Sequence, residues 1–128
     1  MGLRDFGLQL HTTGRGRVGE EAAVRWLCEN GYRIVERNHR NAGGEIDVVA
    51  WEGDTLCFVE VKARADTRHG PAVASVGWSK RRRLARAAAM YLALRRLEPP
   101  CRFDVLSLEG GADGWRITLL RDAFRAEP

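Results

Sequence analysis

Two adjacent segments, Glu45–Trp51 (EIDVVAW) and Thr55–Ala63 (TLCFVEVKA), constrain this chain more than any other feature. Both are rich in Val, Ile and aromatic residues, which suit a pleated, half-buried surface. Only Glu52-Gly53-Asp54 separates them, and a glycine in so short a connection points to a hairpin turn. With the turn centred between Gly53 and Asp54, opposed residues carry numbers that sum to 107. Trp51 then faces Leu56, Val49 faces Phe58, Asp47 faces Glu60 and Glu45 faces Lys62. A bulge or an odd loop would break this register. Opposed residues share a face with their Cβ atoms about 4.5–5.5 Å apart. Glu45, Asp47, Glu60 and Lys62 would therefore gather at one end of an apolar face.

Two carboxylates directly opposite each other repel, so the arrangement needs compensating charge. Lys62 supplies one positive charge. A divalent cation would supply two and would take oxygen ligands from both acids, with the backbone carbonyl of Val61 as a further donor. The competing explanation is a plain ladder, Glu45–Lys62 beside an exposed Asp47–Glu60 pair, and spacing alone leaves both open. Lysine usage adds a second clue. The chain has 19 arginines but only two lysines, Lys62 and Lys80. Lys offers a compact charge that can shift its pKa near a reacting oxygen, which Arg cannot do; chance is the alternative.

The rest of the chain supplies a frame. Val18, Ala22, Ala23, Trp26 and Leu27 recur at helical spacing, and Asn30-Gly31 is a stop, so a helix is expected over Gly16–Asn30. Glu20 falls at the edge of its apolar stripe, where it could reach the acidic cluster. Two solvated glutamates near a helix start would read the same way. Tyr32–Asn38 reads as a strand, followed by a loop over Arg40–Gly44. Ser79 is the expected N-cap of a long helix to Leu97, which Pro99-Pro100 ends. Arg102–Leu108 and Trp115–Leu120 read as two further strands. The expected order is α-β-β-β-α-β-β, with residues 1–14 as a tail and 15–128 as a single domain. His39 and His69 fall in expected loops and are given no chemistry.

Composition narrows the class. At 128 residues, 45% hydrophobic, 30% charged and with mean hydropathy −0.35, the chain suits one globular domain and neither a membrane protein nor a disordered one. The longest apolar run, Ala87–Leu94, is too short to span a bilayer. Met1–Phe6 contains no apolar signal core, so the cytoplasm is expected. Cys28, Cys57 and Cys101 are too scattered for a disulfide framework or a zinc knuckle and are expected to be buried thiols. The net charge of +4 is segmental. Thr67–Leu97 carries eight basic residues and no acid, including Lys80, Arg81, Arg82 and Arg83 at the expected start of the second helix. Cations there oppose the helix dipole but suit an anion such as phosphate. A solvated charged face is the plain alternative.

Taken in order, Gly16-Arg17-Val18-Gly19-Glu20, Gly31-Tyr32, Arg37-Asn38, Gly44-Glu45-Ile46-Asp47, Phe58–Arg64 (FVEVKAR), Lys80 and Arg102-Phe103-Asp104-Val105 resemble the YraN-like family of small bacterial proteins. The resemblance implies a restriction-endonuclease-like α/β core of the PD-(D/E)xK type, with a central mixed sheet flanked by helices, similar to archaeal Holliday-junction resolvases. Ile46 stands in place of the nominal Pro, and Ala63 in place of a common Thr. By this resemblance Asp47, Glu60 and Lys62 would be the catalytic set, with Glu20 as the helical acid. Mg2+ or Mn2+ would be held by Asp47, Glu60, Val61 and Glu20. Glu45 would be a supporting residue. Lys80, Arg81, Arg82, Arg83 and Arg64 would hold nucleic acid. The implied activity is metal-dependent endonucleolytic hydrolysis of DNA, branched DNA included, by one copy or a homodimer. A non-cleaving nucleic-acid-binding module and a structural adaptor are the alternatives.

Overall fold

The computed structural model of the chain describes residues 14–65, 70, 71, 74, 76–111 and 114–125. Residues 1–13 of the expected tail, and His69, lie outside the described residues. The elements are α1 (Gly14–Glu29), β1 (Tyr32–Asn41), β2 (Gly44–Glu52), β3 (Thr55–Arg64), α2 (Trp78–Arg95), β4 (Cys101–Gly111) and β5 (Gly114–Phe124). This is the expected order, α-β-β-β-α-β-β. The five strands form one mixed sheet in the order β1-β2-β3-β4-β5. All neighbours are antiparallel except β3 and β4, which run parallel. A parallel pair needs a crossover, and α2 provides it. No helix among the described residues is long and apolar enough to cross a membrane.

The helices cover opposite faces. Ala23 and Leu27 of α1, four residues apart, are both fully buried against Val48, Ala50, Cys57, Val59, Leu106 and Leu108. Leu84, Ala87, Ala88 and Tyr91 of α2 pack with Ile46, Val49, Phe58 and Phe103 on the other face. Two close approaches fix the helices. A Cβ on Gly19 would meet that of Ala63 at 3.0 Å, so α1 lies directly on β3 beside the candidate site. A Cβ on Gly43 would meet the α2 backbone at 2.8 Å, so the β1–β2 turn tucks under that helix.

The central hairpin forms in the expected register. Val48 pairs with Val59, Val49 with Phe58, Trp51 with Leu56 and Glu52 with Thr55, around a two-residue turn whose Gly53 has φ +60°. Several local expectations need correction. The segment Arg40–Gly44 is mostly strand, because Asn41 pairs with Gly44 and leaves a two-residue turn. His39 therefore lies in β1 and not in a loop. It is buried against Tyr91, between Glu36 and Asn41. Helix α2 begins at Trp78, with Gly77 at the cap and no side-chain capping bond. Ser79 lies inside the first turn, which Arg81 N–H closes on the Gly77 carbonyl at 2.9 Å. Of the three cysteines only Cys57 is buried; Cys28 and Cys101 are exposed.

At the far end of the sheet a network unforeseen from sequence anchors β4. Asp104 is fully buried. It accepts bonds from Arg102 Nε (2.9 Å), Tyr32 Oη (3.1 Å) and the Asp122 N–H (2.9 Å). Arg102 also bonds Glu52, which Arg121 grips through two bonds. Replacing Arg102 by Ala leaves a buried carboxylate without its counter-charge. We expect Arg102→Ala to lose about 3–5 kcal/mol in urea unfolding; a loss below about 1 kcal/mol would show that Tyr32 and the Asp122 amide suffice.

Candidate functional site

The site begins where the β2–β3 ladder stops. Its last regular pair is Val48–Val59. One residue further on, Asp47 Oδ2 accepts the Val61 N–H at 2.9 Å. A side chain thus takes the place of a backbone acceptor, and the strands separate. In a strand the N–H and C=O of one residue point the same way, so the Val61 carbonyl faces the same gap.

The side-chain alternation marks the break. Ile46 packs with the α2 cluster and Val48 with the α1 cluster, although residues two apart in a regular strand share a face. The neighbouring strand changes face in step. Arg37 bonds Glu21 of α1 at 3.0 Å, whereas His39 packs edge-on against Tyr91 of α2. Between them Asn38 adopts φ +52°, a left-handed conformation that Asn tolerates better than most residues. Asn38 and Asp47 fall opposite each other, between the His39–Ile46 and Arg37–Val48 pairs. Asp47 is thereby placed between the two layers.

Glu60 is 4% exposed. Its Oε2 lies 3.0 Å from Lys80 Nζ and 3.6 Å from Lys62 Nζ. Both lysines of the chain therefore converge on one carboxylate oxygen. Burial pulls the Lys80 amine down, but Glu60 and, less strongly, Asp47 together outweigh it and hold the ammonium above its usual pKa. Asp47 is treated differently. Burial first, and then the Glu60 carboxylate, push its carboxyl well above the ordinary range; the Val61 N–H and Lys80 offset only part of this. The cluster is short of positive charge at Asp47 and well supplied at Glu60.

The other expected residues divide. Glu20 is half-buried and lines, with Val24, Arg37, Asn38, Asp47, Val48 and Val61, a recess of about 10 Å3, close to the space one water takes up. Glu21 points outward to Arg37. Glu45 is a correction. It pairs across β1–β2 with Arg40 at 2.8 Å and not with Lys62, because the ladder on which that pairing depended has ended. Arg64 is held by Glu109 at 3.5 Å and is largely covered. Arg81 bonds the Val76 carbonyl at 2.8 Å, while Arg82 and Arg83 stand exposed. Among the described residues no three His, Cys, Asp or Glu side chains group closely enough to hold a metal by themselves. The oxygen donors present are two carboxylates and a carbonyl, with Glu20 across the recess.

Asp47 gives the site a pH signature. Its raised pKa means the folded state keeps a proton that the unfolded chain gives up. The resulting penalty is absent below about pH 4 and grows as pH rises through Asp47's raised value. Asp47→Asn keeps an acceptor for Val61 and removes the charge. In EDTA at neutral pH it should unfold at higher urea, by roughly 0.2–1 kcal/mol, the scale of a like-charge pair. The gain should vanish below about pH 4. A variant less stable than the wild type at pH 7 would contradict this account.

Residues 19–108 match the model of a family described as "Uncharacterised protein family UPF0102". A UPF0102 protein of Symbiobacterium thermophilum is 50% identical over 113 residues, covering 87% of this chain and 96% of its own length. One from Herminiimonas arsenicoxydans is 47% identical over 100 residues, covering 78% and 81%. One from Bordetella parapertussis is 46% identical over 129 residues, covering 96% of this chain and 70% of its own.

Proposed function

The chain belongs to the UPF0102, YraN-like family, and from that premise and the geometry of its site we propose that it is a metal-dependent endonuclease acting on DNA. One observation carries the reading: Asp47 and Glu60 meet where the β2–β3 ladder opens, beside the only two lysines of an arginine-rich chain. A salt-bridge ladder would not need the strands to part, nor leave one acid undercompensated.

The donor set fits a hard divalent cation. Mg2+ and Mn2+ prefer carboxylate, carbonyl and water oxygens. Asp47, Glu60 and the Val61 carbonyl would hold the ion, with Glu20 reaching it directly or through water. Such an ion supplies charge neutralisation at a phosphate and a more acidic water. The chain's own residues do the rest. Lys62, tethered to Glu60, orients the attacking water and stabilises the charge that develops on the phosphate. The Val61 N–H holds Asp47 in one rotamer. Arg82 and Arg83 take flanking phosphates, which gives salt-dependent affinity without sequence reading. The protein works in the cytoplasm on branched or linear DNA, as one copy or as a pair.

A second reading, a nucleic-acid-binding module that does not cut, is favoured by one specific feature. Lys80 engages Glu60 at 3.0 Å, so one of the carboxylates that would take the metal already has a cation. A cleavage panel of branched, flapped, single-stranded and duplex DNA with Mg2+ or Mn2+ separates the two. We expect cutting that Asp47→Ala and Lys62→Ala each reduce by at least about a hundredfold, with binding retained and weakened by salt. Salt-sensitive binding that survives both substitutions, with no cutting by the wild type under either metal, would establish the module instead.

A further inference from the structure

Trp78 is the feature of the fold that neither packing nor the acidic cluster accounts for. Trp78 is 61% exposed at the start of a helix whose Leu84 and Tyr91 are buried; Leu94, near the other end of that helix, is also exposed. Trp78 is also held in place. The Arg81 guanidinium lies 5.3 Å from the centre of the indole. Arg81 is itself fixed by its bond to the Val76 carbonyl and by lying 5.2 Å from the Phe124 ring. A guanidinium thus backs the indole while most of the ring stays in solvent. On a helix the neighbours of residue 78 are residues 81 and 82, so Arg82, which is exposed, stands beside the ring. Lys80 lies on the other side of the same turn, facing the sheet, where it meets Glu60.

We propose that Trp78 is a stacking platform for an unpaired nucleobase, so that the protein prefers nucleic acid with bases outside a duplex. The occupant follows from the chemistry of the patch. A large exposed aromatic flanked by arginines, in a stretch Thr67–Leu97 without a single acid, complements a polyanion that also carries flat rings. A base inside a duplex presents only its edge and cannot lie on the indole; a single strand, a flap or an open junction can. Trp78 and Lys80 share one helical turn, so a strand with a phosphate near Asp47 and Glu60 reaches the indole within a few nucleotides, well inside the roughly 4–16-nucleotide footprint of single-strand grooves. This inference rests on the nucleic-acid reading of the site and not on cleavage.

The test uses the full chain in EDTA, with fluorescence anisotropy of labelled oligothymidylate and of an abasic oligodeoxynucleotide of equal length and charge. The wild type should bind the thymidylate roughly five- to a hundredfold more tightly. Trp78→Ala should remove that preference, Trp78→Phe should keep most of it, and Arg82→Ala should weaken both probes alike. Trp78 is exposed, so these variants are expected to fold. Equal affinity of the wild type for the two probes, or a preference that survives Trp78→Ala, overturns the platform. So does a Trp78→Ala variant that alters self-association in sedimentation but not the preference, which would make the ring a contact between copies. Binding to neither probe overturns this inference and leaves the nuclease and module readings to the cleavage and binding panel above. A thymidylate preference without cleavage under Mg2+ or Mn2+ upholds the platform and retires the nuclease alone.

Discussion

The bond from the Val61 N–H to Asp47 Oδ2 governs the architecture of the site. A sheet is a poor place to put charge, because its regular ladder sends side chains alternately to two faces, and here both faces are covered by helices. Asp47 escapes that alternation by replacing a backbone acceptor with its own carboxylate. The strands part without leaving the Val61 amide unsatisfied, which would cost about 1–3 kcal/mol if buried. Asn38 makes the matching adjustment in β1 with a left-handed backbone. Together they carry Ile46 and His39 to the α2 face while Val48 and Arg37 stay on the α1 face. The outcome is a polar gap inside an otherwise apolar sheet, with Glu20 on one side and Glu60 on the other.

Among the described residues the acids around Asp104 and those around Asp47 and Glu60 form two centres, and their electrostatics separate them. Asp104 is saturated: Arg102, Tyr32 and the Asp122 amide use its lone pairs, and Arg102 is further held by Glu52. The bonds from Arg121 and Arg102, against a smaller burial penalty, drop the Glu52 carboxyl to about 2. Burial, then the charge on Asp104, lifts the nearby Cys57 thiol to about 12 and makes it inert. Every ionised group there has a fixed partner, which is the pattern of a staple joining β2, β4 and β5. The Asp47–Glu60 centre is the reverse. Its two ammonium groups both serve Glu60, while Asp47 is held by one amide and opposed by its neighbour. An undercompensated carboxyl beside a recess is where binding energy for a cation can be stored.

Much of this was legible in the sequence, and the failures have identifiable causes. The hairpin register survived for every pair from Val48–Val59 to Glu52–Thr55 because alternating apolar residues and a glycine turn fix it locally. Asp47 and Glu60 were paired by extending that register past the point where the ladder ends. Their side chains are neighbours all the same, because the Asp47–Val61 bond holds the parted strands together. Glu45 and Lys62 lie further past the break, and there the extrapolation failed: Glu45 went to Arg40. No residue type at 45 or 62 announces this; only the left-handed tendency of Asn38 hints at it. Lys80 was legible as an odd lysine but not as a partner of Glu60, because that depends on where α2 crosses the sheet. Trp78 carried no signal, since an indole at the start of an amphipathic helix reads as core.

The position of α2 ties these observations together. Its first turn contains no acid, and Lys80 and Arg81 stand where the helix dipole disfavours cations. Each of the two has a local answer. Lys80 turns inward to Glu60, and Arg81 turns to the Val76 carbonyl and two aromatic rings. Arg82 and Arg83 are exposed. The turn therefore sorts its charge: one cation completes the core of the site, one braces an exposed indole, and two are left at the surface. A helix start optimised for stability would carry Asp or Glu here. Under the nucleic-acid reading proposed above, the compensating anion would come from outside the chain.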